Sequence, residues 1–178
     1  MFSLFGKKAG KVKIIDRVFI SSTAKQNAIQ EKIAGQPHLI MIAWFEDSYN
    51  QIKNLPASNN PHVEIYIARE IAAHHVQNKD VLFFEHYPLS TKEDELLERL
   101  QLTEAVFYSS LDEPIFMHFG GEKMISLLEK MGFSENEAIE HTMVSAAIKN
   151  AQEKISKEVM IEHAAQSQAE WFSKNIVK

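Results

Sequence analysis

The 178-residue sequence contains no cysteine. That single absence excludes disulfides, thiolate nucleophiles and cysteine-ligated zinc or iron–sulfur sites together. Glycine and proline are scarce, at 6 and 5 residues, so neither a glycine-rich low-complexity chain nor a proline-rich linker fits. Long apolar runs are missing as well: the richest, Leu39 to Phe45, falls far short of the roughly 18 residues of a spanning helix. Positive charge is in deficit, with 19 Lys and Arg against 24 Asp and Glu and a net charge of −5. A dedicated nucleic-acid binder carries a dominating basic face, so no nucleic-acid partner is expected. What is present is an ordinary globular composition, 45% hydrophobic and 24% charged, in a length that suits one domain with an appended element.

The first residues, Met1-Phe2-Ser3-Leu4-Phe5-Gly6-Lys7-Lys8, put apolar side chains before lysines and lack the apolar core of about 7–15 residues that a signal peptide needs. A cytoplasmic chain is expected. Segment 1–15, with Phe2, Leu4 and Phe5 followed by Lys7, Lys8, Lys11 and Lys13, suits peripheral contact with an anionic membrane, rings buried and lysines at the headgroups. A frayed or core-docked terminus is the plainer alternative.

From Arg17 onward short β-branched and aromatic runs alternate with helical stretches. Strands are predicted at Arg17–Ser22, Leu39–Phe45, Val63–Ala68, Val81–Glu85 and Ala105–Ser109, with helices at Thr23–Ala34, Glu46–Leu55, Arg69–Val76 and Thr91–Leu100 between them. Five strands alternating with helices indicate an α/β fold: a mainly parallel five-stranded sheet with helices on both faces. After Pro114 strand-like runs stop. Glu122–Met131 reads as a helix ended by Gly132, and Ser134-Glu-Asn-Glu137 reads as a capping box opening the next one. From Glu135 to about Ile176 there is no Gly or Pro, and apolar residues return to one side throughout, which predicts one long C-terminal helix of about 60 Å. Such a rod outruns a domain this small, so it should pack on another chain or fold back at an unmarked break.

Four constellations are candidates for function. Ser21, Ser22 and Thr23 close the first strand and open the first helix, where backbone donors hold anions in α/β folds; a plain helix cap uses the same residues. Glu70 with His74 and His75, and Glu137 with His141, have the i, i+4 spacing of metal ligands, but neither offers a third ligand, and no metal is expected. Trp171 and Phe172 lie where little chain is left to cover them, which marks them as a protein-contact anchor. The strand aromatics Trp44, Phe45, Tyr66, Phe83, Phe84, Phe107 and Tyr108 are core residues. For nucleophilic catalysis there is no G-x-S-x-G turn.

One stretch carries a resemblance. Tyr108 with Ser110-Leu-Asp-Glu113, Phe119-Gly120, Met131-Gly132, Glu140-His141, Met143-Val144 and Ala147-Ile-Lys-Asn-Ala-Gln152 resemble SecA, the preprotein translocase motor ATPase. The likeness is to the junction where its second RecA-like nucleotide-binding domain passes into its helical scaffold, and it implies a degenerate RecA-like domain over 16–114 and a scaffold-like helical segment over 115–178. A motor of this kind needs a phosphate loop, an acidic pair for magnesium and arginines for the γ-phosphate. No G-x-x-x-x-G-K-[ST] occurs, and where the family's arginine-finger segment should lie the sequence has Asp94-Glu-Leu-Leu-Glu-Arg-Leu-Gln-Leu-Thr103, with Arg99 alone among acids. The resemblance therefore implies a non-catalytic, SecA-like protein without cofactor that binds another protein, or itself, through its long helix, with a translocation component as the implied partner. The alternative is a small-ligand or nucleotide-binding regulatory module.

Overall fold

The computed structural model describes residues 12–36 and 38–176. The N-terminal membrane-contact expectation on Phe2, Leu4, Phe5, Lys7, Lys8 and Lys11 lies outside the described residues. Lys13, the last lysine of that expectation, is described, and its ammonium pairs with Glu104 (2.7 Å).

Five strands, β1 (Lys13–Phe19), β2 (Leu39–Ala43), β3 (Val63–Ile67), β4 (Asp80–Phe83) and β5 (Glu104–Ser110), form one parallel sheet in the order β1-β5-β4-β2-β3. Between them run α1 (Ser22–Gly35), α2 (Glu46–Lys53), α3 (Ala73–Val76) and α4 (Ser90–Arg99), with a 3-10 turn at Pro56–Asn59. The order explains why both faces are covered. The β1-to-β2 and β2-to-β3 crossovers travel one way along the sheet and the β3-to-β4 and β4-to-β5 crossovers travel back, so right-handed connections place α1 and α2 on one face and α3 and α4 on the other. β2 sits inside the sheet and all five of its residues are buried, with Met41 turned to Ile29, Ile33 and Ile52, and Ile40 and Ile42 turned to Ile71, Phe83 and Leu96. A continuous apolar run is what such a two-sided strand requires.

Beyond β5 follow α5 (Pro114–His118), α6 (Gly121–Lys130), α7 (Thr142–Glu158) and α8 (Gln168–Asn175). Gly120 adopts φ +90°, and a Cβ on Gly121 would stand 2.5 Å from the Leu111 carbonyl oxygen, so this glycine pair lets α6 start against the end of β5. The single long helix expected from Glu135 to Ile176 is corrected here in two places. Segment 134–141 is not helical: Ile139 pairs antiparallel with Val18, exchanging both backbone bonds (2.8 and 3.3 Å), and this covers the outer edge of β1. His141 then caps α7, its Nδ1 accepting from the Met143 amide (3.1 Å). The second break follows Glu158. Ser167 caps α8 through the Glu170 amide (3.1 Å), the Glu170 carboxylate accepts in return from the Gln166 amide (2.6 Å), and Asn175 holds both backbone groups of His163. Among the described residues no helix is long and apolar enough to cross a membrane.

Candidate functional site

Parallel α/β sheets place ligands at the carboxyl ends of their strands, beside neighbours whose connections leave for opposite faces. Here β2 meets that condition with both of its neighbours, β4 and β3, and the inner position lies between β2 and β4. The chain fills it with its own C-terminus. Gln168, 4% exposed, donates to the His86 carbonyl (3.0 Å) after β4 and accepts from the Ile115 amide (2.9 Å), while the Asp47 amide at the start of α2 donates to the Gln166 carbonyl (3.0 Å). Trp171 is 0% exposed and packs with Phe45, Ile115 and Ile155, its indole N–H donating to Glu162 (2.9 Å). The Tyr87 hydroxyl donates to the same carboxylate, which together with burial raises its pKa.

The structure thereby removes the reason for reading Trp171 as an uncovered anchor. Nine residues of irregular chain, 159–167, turn α8 back onto the sheet, and the indole ends in this chain's own core. Phe172 is half-buried beside His118, with ring centroids 5.2 Å apart.

At the start of α1 the donors are likewise used from within. Ser21 Oγ accepts from the Ala24 amide (3.1 Å) and donates to Glu135 (3.0 Å); the amide and hydroxyl of Ser22 both donate to Asp112 (2.8 Å each). A carboxylate from the β5–α5 turn stands where an external anion would stand, and the favourable helix terminus goes to it. Thr23 is exposed and joins no side-chain bond among the described residues.

Deeper in, Lys25, 3% exposed, reaches from α1 to Glu113 Oε1 (2.5 Å) and the Phe84 carbonyl (3.0 Å), lying 3.7 Å above the Phe84 ring. Beside it Glu85 accepts from Ser48 Oγ (2.8 Å). Burial, reinforced by the Glu113 charge and opposed by Lys25, pushes the Glu85 carboxyl up to about 7. A carboxyl held that high weakens the folded state once the unfolded chain has ionised. Glu85→Gln is therefore expected to add on the order of 1–2 kcal/mol of stability at pH 8 and little at pH 4. Urea titrations at the two pH values check this, and equal effects at both would refute it.

On the opposite face His86, 2% exposed, lies between Asp16 (3.0 Å to Nε2) and Glu93 (3.0 Å to Nδ1) and stacks on Phe107, with centroids 4.3 Å apart. Burial alone would lower its pKa; Glu93 and Asp16 outweigh it and raise it to about 10. Glu93 also accepts from the Tyr87 amide (2.7 Å). This carboxylate–imidazolium–carboxylate knot joins β1, the end of β4 and α4. None of the three was singled out in the sequence, where they stand far apart and belong to no motif. Of the residues with metal-ligand spacing, the His74 and His75 rings lie 3.9 Å apart, His75 Nδ1 accepts from the Ala72 amide (3.0 Å), and Glu137 lies outside α7. Among the described residues no group of three or more His, Asp or Glu is placed to hold a metal ion.

Among the described residues, α6 carries an exposed apolar face. α6 turns Leu128 and Ile125 inward to Val18, Leu111 and Ile148, yet Met124, Leu127 and Met131, at i, i+3 and i+7, are 50%, 53% and 65% exposed. Phe119, Phe133 and Met143, from the same part of the chain, are exposed as well.

No protein-family model matches the chain. Over 49 residues, 28% of the chain, it is 53% identical to protein translocase subunit SecA 1 of Alkaliphilus metalliredigens and, over an equal length, 47% identical to SecA of Alkaliphilus oremlandii. This chain is similar to SecA. The likeness extends at 38% identity over 55 residues to SecA of Chlorobium limicola. In each case it is local, covering 5–6% of the relative's own length.

The residues that carried the SecA resemblance in the sequence are chiefly structural. Asp112 caps α1, Glu113 holds Lys25, Glu140 pairs with Arg17 (2.8 Å), His141 caps α7, and Gln152 donates to the Tyr87 carbonyl (2.8 Å). They fasten the helical segment to the sheet.

Proposed function

We propose that this chain is a non-catalytic, SecA-like protein that acts by binding another protein, and that its partner belongs to the protein-translocation machinery. The observation that carries the reading is the outer face of α6. Three large apolar side chains at helical spacing, each half exposed or more, form the kind of surface that protein contacts cover, and methionine adapts readily to a partner. The absent phosphate loop and the filled strand ends support a binding rather than a hydrolytic role. The link to translocation rests on the similarity to SecA alone.

Met124→Glu with Leu127→Glu tests the contact. Both side chains face solvent, so the fold is expected to keep its stability within about 0.5 kcal/mol. Crosslinking in lysate should join wild-type Lys123 or Lys130, which flank the face, to translocation components, and the double variant should lose those links. Links that fall elsewhere, or that survive in the double variant, would count against the reading.

A further inference from the structure

A groove of about 1050 Å³ opens between α4 and α7 over one face of β1, and α6 contributes none of its walls. Alternate residues of an extended chain share a face, so Val12, Ile14 and Asp16 all line it. Asp16 is engaged by His86, but Ile14 is 40% exposed, the one large apolar side chain that the sheet leaves open among the described residues. Val12 and Leu102, half-buried, line the same groove, and Ala146 of α7 is exposed along it. The α4 wall is acidic. Asp94 and Glu98 are exposed one helical turn apart, and neither pairs with a cation among the described residues; Lys149 of α7 is the exposed cation of the facing wall.

We infer that the groove is the docking site of this chain's own first residues, Met1–Lys11. The fold fixes where that segment joins it. The Lys13 amide donates to the Thr103 carbonyl (2.9 Å), so the chain departs from Val12 at the end of the groove that Gln101, Leu102 and Thr103 line. Charge matches on the two sides, because Lys7, Lys8 and Lys11 are the only charged side chains of the segment. Glu98 stands nearer the point of departure and Asp94 a turn beyond it, where lysines so close to Val12 meet them first. Reach is ample: eleven extended residues span about 36 Å, against about 15 Å for the ten residues of α4. Phe2, Leu4 and Phe5 carry apolar surface to cover, and Ile14, Val12 and Ala146 offer a matching one. The covalent tether supplies an effective concentration of about millimolar, which lets individually weak contacts close the groove where a free ligand of the same chemistry would leave.

The test uses the full chain with benzoylphenylalanine in place of Phe5, which on irradiation crosslinks to whatever lies against it, the products being mapped by mass spectrometry. Crosslinks within one chain should fall on the parts of β1, α4 and α7 that line the groove, at least about tenfold more often than on α1 and α2 across the sheet. Asp94→Lys with Glu98→Lys, both at exposed positions, should cut the groove crosslinks at least about fivefold. Raising salt from about 50 mM to about 500 mM should cut them as well. Ile14→Ser should lower them about threefold by removing the apolar floor. A melting temperature within about 2 °C of the parent's shows that the charge-reversed chain is folded. Crosslinks scattered over the surface, gathered on α6, or unaltered by the charge reversal would each overturn the assignment. Crosslinks formed only between chains would overturn it too, since the groove would then take the segment of a second copy.

Discussion

Replacing Trp171 with alanine is expected to destabilise the whole molecule by about 3–5 kcal/mol, the range for deleting a fully buried large aromatic. The indole has no exposed surface, touches Phe45, Ile115 and Ile155, and supplies one of the two donors on Glu162. Its loss opens a cavity between α5, α7 and α8 and leaves Glu162 half satisfied. In a chain of this size the melting temperature should fall by about 6–20 °C. Phe172→Ala, at a half-buried position, should cost much less. The comparison separates two roles for this pair. A partner anchor would lower complex formation and leave the melting temperature alone, whereas a core residue lowers the melting temperature first. Differential scanning calorimetry of both variants decides between them, and a Trp171→Ala protein melting within about 2 °C of wild type would overturn the structural account.

The second large effect belongs to His86. His86→Ala leaves Asp16 and Glu93 buried with no imidazolium between them, and breaking a buried ion cluster by removing one member typically costs about 3–5 kcal/mol. The deficit should shrink in acid, where the stranded carboxyls take up protons. The intact protein shows the complementary behaviour. His86 titrates near 10 when folded against an ordinary value of 6.5, so its stabilisation is complete below about pH 6.5 and is lost as the pH rises toward 10. Glu85 acts in the same direction over a lower window, from its ordinary 4.5 to about 7. Asp16 and Asp112, whose pKa values are lowered by hydrogen bonds that outweigh their burial, act in the opposite sense and lose their contribution as the pH falls through the ordinary carboxyl range. Stability measured by urea unfolding should therefore peak near pH 5 and decline toward pH 10. A curve flat between pH 6.5 and 10 would contradict the charged state assigned to His86.

Much of the architecture was legible because the sheet is covered on both faces. Buried parallel strands must be continuously apolar and short, and Leu39–Ala43 is recognisable on that ground alone, as is the β–α alternation around it. The bounds slipped most where burial was one-sided. β1 begins at Lys13, ahead of the expected Arg17, because its first residues are held by backbone pairing to β5 while their side chains remain exposed. The end of the single helix was also marked, by Ser167 and Glu170, whose capping spacing repeats that of Ser134 and Glu137. Of two identical signatures, one starts a helix and the other does not. Ser134–Glu137 lies beside an open sheet edge, and Ile139 satisfies the backbone of Val18 in preference to continuing a helix.

The sequence by itself determined the fold class, the absence of cysteine chemistry, the missing phosphate loop and the likeness to SecA, because these depend on residue type and local spacing. Only the tertiary structure decided where polar groups of distant origin meet: Asp16 with His86 and Glu93, Ser22 with Asp112, Lys25 with Glu113, Glu162 with Trp171. No periodicity encodes such pairs. They form because folding removes each group from water, and a buried donor or charge must then find its partner wherever the chain happens to bring one.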